Sequence, residues 1–167
     1  MRRIDTKRLA TLSILISVAM ILSYVESLIP PFVAVPGVKL GLSNIATVFA
    51  LYTLGAPAAV TVSLVRVVLS ALIFGNFVSL IYSLSGAALA LTFMIILRKL
   101  APFSSVGVSV AGGVAHNAGQ IIAACIVMES AAIAVYLPPL VISGTVAGVA
   151  IGIASGMLVK KTEKYIK

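Results

Sequence analysis

Residues 105–128 read SVGVSVAGGVAHNAGQIIAACIVM, a 24-residue run without one Asp, Glu, Lys or Arg. As a helix it measures about 36 Å at 1.5 Å per residue, enough to cross a hydrocarbon core of about 30 Å. Comparable runs lie on both sides of it. Residues 9–29 stop at Pro30-Pro31, 42–54 break at Gly55-Ala56-Pro57, and 58–74 end at Gly75-Asn76. Residues 77–97 stop at Arg98-Lys99, and 137–159 precede a basic tail. The pattern predicts an all-α membrane protein of six transmembrane helices, forming a single domain over 1–167. The 42–54 segment is short for a crossing unless its loop adds residues or the bilayer thins.

Composition points the same way. Of 167 residues, 61% are hydrophobic and 10% charged, with mean hydropathy +1.21, whereas a soluble domain is near half apolar and about a quarter charged. Disorder, a coiled coil and a disulfide scaffold are excluded; with Cys125 alone, no zinc cage can form. The net charge of +8 resembles a nucleic-acid signal until its placement is followed. Six crossings with both termini cytoplasmic put Arg2, Arg3, Lys7, Arg8, Arg98, Lys99, Lys160, Lys161, Lys164 and Lys167 on the inner side. Lys39 falls outside and Arg66 within a span. The charge is therefore a topology signal, and the expected location is a cell membrane, crossed several times. The partner is lipid, with no nucleic acid.

Polar side chains inside hydrocarbon are costly and are kept when paired or used. Arg66 sits near the middle of the third segment, where an ion pair with Glu26 or Glu129 competes with a role in binding an anion. His116, Asn117 and Gln120 share one helical face, and suit hydrogen bonding to a ring, a carbonyl or a phosphate; an interhelical clamp is the alternative. Lys39, Asn44, Asn76, Tyr82 and Glu129 gather towards the outer ends of the segments. Together with the His116 group they outline a substrate-binding cavity open to the outside. Ser13 and Ser17, four apart on the first helix, suit docking to another membrane subunit or packing within the chain. Gly144, Gly148, Gly152 and Gly156 form a ridge for close helix contact.

The stretches Gly37-Val38-Lys39-Leu40-Gly41-Leu42-Ser43-Asn44, Ser83-Leu84-Ser85-Gly86-Ala87-Ala88 and Gly107 to Gln120, with its His116-Asn117-Ala118-Gly119-Gln120 core, resemble one bacterial membrane family. It is labelled heptaprenyl diphosphate synthase component I, also called the Gx transporter family, and is similar to the S-components of energy-coupling-factor vitamin transporters. The resemblance implies a six-helix bundle that binds ligand beneath its first loop and docks through small residues of its first helix. Ser13 and Ser17 stand at those positions, where the S-components carry alanines. Family members are commonly encoded beside FMN-binding membrane proteins and FAD:protein FMN transferases, which implies a flavin cargo and a flavin transferase system or energy-coupling subunits as partners.

Prenyl synthases hold magnesium diphosphate with paired aspartate-rich motifs, because hard cations want several carboxylate oxygens. One Asp and three Glu, widely separated, cannot build that site, and no metal site is expected. The expectation is a transporter or substrate-binding subunit without enzymatic activity or resident cofactor, carrying a flavin or flavin nucleotide. The alternative is an accessory membrane subunit of a prenyl diphosphate synthase, or a carrier of an isoprenoid diphosphate or quinone precursor.

Overall fold

A computed structural model describes residues 6–28, 41–100 and 103–166, with side chains to Thr162. All its regular elements are helical: α1 (Thr6–Leu28), α2 (Asn44–Thr53), α3 (Ala56–Phe74), α4 (Phe77–Leu100), α5 (Ser105–Val127) and α6 (Leu137–Ile166), with a 3-10 turn at Ala131–Tyr136 before α6. Five of the helical segments are long and apolar enough to cross a bilayer, which makes the chain a multi-pass membrane protein.

Local chemistry sets the helix ends. Gly55, at φ 92°, turns the chain into α3, and Pro57 lies in its first turn, where no backbone N–H is needed. The helix therefore starts at Ala56, ahead of the expected Ala58. The Ser104 hydroxyl caps α5 by accepting from the Gly107 N–H at 3.2 Å. The α4 helix runs through Arg98 and Lys99 to Leu100, since cations at a helix C-terminus complement its dipole. Asn76 caps α4: its side-chain oxygen accepts from the Ser79 N–H at 2.8 Å, and Ser79 Oγ accepts from the Asn76 N–H at 3.0 Å. Asn76→Ala is expected to cost about 1 kcal/mol of stability, read as a lower unfolding midpoint in detergent, with ligand affinity unchanged.

The α4, α5 and α6 helices form a tightly packed group, with α6 also against α2, while α1 rests on α2 and α3. Glycines set the α5–α6 distance. A Cβ on Gly148 would lie 2.6 Å from Val110 Cα, and one on Gly113 would lie 2.5 Å from the Gly144 carbonyl oxygen. Without a hydrophobic drive between helices in lipid, such close backbone contact supplies the cohesion.

The α2 helix differs from the rest. Ten residues make about 15 Å, half of the hydrocarbon thickness. It is also the most enclosed, with every residue from Ala46 to Leu51 buried. A helix end at mid-membrane depth is tolerated only where protein surrounds it, and α1, α3, α5 and α6 all contact α2. Its far end is tied down by polar contacts. The Arg8 guanidinium donates to the Leu54 carbonyl at 3.1 Å, Arg98 stacks 4.4 Å above the Tyr52 ring, and the Tyr52 hydroxyl donates to the Phe103 carbonyl at 2.7 Å. The basic ends of α1 and α4 thus meet the same end of α2.

Candidate ligand-binding site

The α5 helix carries one wall of an internal cavity. Ser109, Gly112, Gly113, His116, Asn117 and Gln120 all line it, a stripe at helical spacing. Gly119 and Gly112 of α5 bring α4 close: a Cβ on Gly119 would lie 2.6 Å from the Ser85 carbonyl oxygen, and one on Gly112 2.5 Å from Met94 Sδ. The His116 ring fits against Gly86, where a Cβ would come within 2.9 Å of Cε1 and Nδ1. Asn117 donates from Nδ2 to the Leu140 carbonyl of α6 at 2.6 Å, so one half of this amide clamps the two helices. Gln120 makes no hydrogen bond among the described residues, and it lines the cavity.

The opposite wall belongs to α2 and α3. Arg66 stands ten residues into α3, about 15 Å from its start, at the level where α2 begins. Its Nη2 donates to Asn44 Oδ1 at 3.3 Å, while its Nε is buried with no partner. Thr47, one turn beyond Asn44 on α2, has a buried hydroxyl that is likewise unpartnered. Both residues line the cavity with Ser43, Ser63 and Ser83. Unsatisfied buried polar atoms cost about 1–3 kcal/mol each. Two of them beside one cavity are what a polar ligand would repair.

Gly41 and Glu26 close the assembly. At φ 70°, Gly41 is in the left-handed region open to glycine. Its N–H donates to a Glu26 carboxylate oxygen, and its carbonyl accepts from the Asn44 N–H at 2.9 Å. The Glu26 charge acts on the Arg66 guanidinium, but no ion pair within 4.0 Å joins Arg66 to Glu26 or Glu129 among the described residues. The cavity offers about 70 Å³ to the centre of a water-sized sphere. Its apolar lining comes from Val48, Ala87, Ala90, Leu91, Met94, Ala147 and Ile151.

Of the residues singled out in the sequence, Arg66, His116, Asn117, Gln120 and Asn44 come together here. Lys39 lies outside the described residues. Asn76 does not reach the cavity: it is exposed and serves as the α4 cap. Tyr82, on the same helix as Ser83, is absent from the lining, and Glu129 is exposed at φ 49° in the turn after α5. Ser13 and Ser17 are exposed on α1, and each hydroxyl donates to the carbonyl four residues earlier, on Leu9 and Ser13. That bond satisfies a hydroxyl on an exposed helix face. Thr47, Ser63, Ser83, Ser109 and Ser43 are cavity residues beyond those chosen, and Glu26, expected as an ion-pair partner of Arg66, lines the cavity as well. Ser109 was within reach of pattern reasoning, since it precedes His116 by seven residues and so shares its face.

Residues 15–158 match the family model described as heptaprenyl diphosphate synthase component I. The chain belongs to that family. No curated protein and no solved structure matches it. The family description names one component of a heptaprenyl diphosphate synthase, and prenyl diphosphate chemistry gathers carboxylates around divalent ions. Among the described residues of this component I chain, no three His, Cys, Asp or Glu side chains converge. The polar groups that line the cavity are one guanidinium, one carboxylate, three carboxamides, an imidazole and several hydroxyls, a set suited to charge and hydrogen-bond contacts.

Proposed function

We propose that this chain is a small-molecule transporter, or the substrate-binding subunit of one, in the cytoplasmic membrane of a bacterium. The observation that carries the reading is the unpartnered Arg66 Nε beside a cavity that also takes in Gln120 and Thr47. An intramembrane charge left short of partners favours an anionic visitor. Alternating exposure of the site would come from rocking of the helices or from movement against partner subunits, which would also provide the energy. The basic ends of α1, α4 and α6 face the cytoplasm in this reading, and the chain catalyses no reaction. The cargo named first is a flavin or flavin nucleotide. Its ring would be read by Gln120, Asn117 and His116 and its phosphate by Arg66. The second reading, favoured by the component I name, is an accessory membrane subunit that holds an isoprenoid diphosphate for a partner synthase.

Purification in mild detergent followed by absorbance and mass spectrometry tests both. A flavin released in stoichiometric amount on denaturation is the expected result. Recovery of an isoprenoid diphosphate instead moves the chain to the second reading. If nothing co-purifies, and riboflavin, FMN, FAD and farnesyl diphosphate all fail to bind on titration, ligand binding is refuted.

A further inference from the structure

The arrangement around the start of α2 has more in it than a cavity wall. Asn44 and Thr47 lie one turn apart and so share a face of α2, and Asn44 on that face touches Arg66 at 3.3 Å. The positive end of the α2 dipole therefore opens beside the guanidinium. The first backbone donors are occupied: the Asn44 N–H by the Gly41 carbonyl at 2.9 Å, and the Ile45 N–H by the Leu42 carbonyl at 3.1 Å. What remains unsatisfied is Arg66 Nε and Thr47 Oγ1. The one carboxylate lining the same space is Glu26, which accepts from the Gly41 N–H while its charge acts on Arg66.

We propose that Arg66, Thr47 and the α2 N-terminus form a mid-membrane subsite for a phosphate or carboxylate group, and that Glu26 is its internal counter-ion, displaced when the ligand's anion arrives. This rests on the ligand-binding reading above and names the chemistry of that site. The carboxylate reaches the turn before α2 but makes no ion pair with the guanidinium, so it offsets the Arg66 charge and leaves Arg66 Nε and Thr47 Oγ1 for a visitor. Among the described helices α1 packs chiefly on α3 and α2, so loss of the Glu26–Gly41 contact removes one of the ties on the end of α1 that carries it.

The test is calorimetric titration of the full-length chain in phosphatidylcholine nanodiscs with inorganic pyrophosphate. Glu26→Gln keeps an oxygen acceptor for the Gly41 N–H and removes the competing charge. It is expected to tighten pyrophosphate binding about tenfold, while Thr47→Val weakens it several-fold. Repeating the titration with phosphatidylglycerol in the bilayer distinguishes sources: unchanged affinity means a soluble anion, and exclusion of pyrophosphate means that a lipid headgroup takes the subsite. If wild type and Glu26→Gln bind pyrophosphate equally, or the variant binds more weakly, Glu26 only anchors the turn and the counter-ion proposal is overturned while ligand binding stands. If neither pyrophosphate nor any flavin or prenyl ligand binds to any variant, both fall together.

Discussion

Gly148→Val is expected to lower stability by about 3 kcal/mol or more, read as a large fall in the unfolding midpoint in detergent and in the yield of folded protein. The reason is distance. A Cβ at this position would lie 2.6 Å from Val110 Cα, 2.9 Å from the Ser109 carbonyl oxygen and 3.0 Å from the Val110 nitrogen. All three are backbone atoms, so no rotamer change relieves the clash and α5 must move away from α6. Neighbours on the ridge add to the cost, because Gly152 faces Val106 and Gly144 faces Gly113 in the same way. Ser109 and Gly148 also line the cavity, so ligand affinity should fall with stability. Gly107→Ala is the control. Its Cβ would meet Ser104 Oγ at 3.7 Å and Phe103 Cδ1 at 3.8 Å, ordinary contact, and the change keeps the N–H that Ser104 caps. A gain of about 0.5 kcal/mol from helix propensity is expected there. Wild-type behaviour of Gly148→Val would mean that the ridge is not a contact surface.

The contrast between these two glycines shows what a sequence can and cannot convey in lipid. Long uncharged runs fix the helices because backbone polar groups must be satisfied internally, and the ridge at four-residue spacing was legible as a packing surface. The α2 helix was harder to read. Its 13-residue apolar segment looked like an undersized crossing, and what makes a half-length helix tolerable is enclosure by four others, which no local pattern displays. For the site, the level of a residue across the bilayer was legible from its place in a span, but its direction around the helix axis relative to neighbours was not. Arg66 and the His116 group announced themselves because amide and charged side chains are rare in hydrocarbon. Asn76, Tyr82 and Glu129 share a level with one another without sharing the cavity. Thr47, Ser63 and Ser83 were silent because a helical hydroxyl usually bonds the carbonyl four residues back, as Ser13, Ser17 and Thr61 do. The Thr47 hydroxyl, buried on α2, makes no such bond.

Arg66→Met is expected to weaken anion capture about 100-fold, and in the paired variant that adds Glu26→Gln the unfolding midpoint stays level or rises. The two readouts separate the roles open to a buried arginine. If Arg66 is a structural clamp, its removal strands Asn44 Oδ1 and leaves the Glu26 charge without the cation that it faces, and breaking such a buried arrangement costs about 3–5 kcal/mol. Stability would then collapse along with binding. If Arg66 is held ready for a ligand, the unloaded protein already bears the cost of a guanidinium whose Nε has no partner. A methionine of similar length removes that cost and fills the space with a flexible apolar chain. Asn44 can turn its amide towards the cavity, and in the paired variant Glu26→Gln keeps an oxygen acceptor for the Gly41 N–H without a charge that has lost its counter-ion. Replacement of both members of a buried ionic arrangement by neutral groups of like volume is often neutral or stabilising by about 1–4 kcal/mol. A variant that is stable but does not bind places Arg66 in the service of the ligand; one that unfolds makes it part of the scaffold, and the transport reading loses the residue on which it stands.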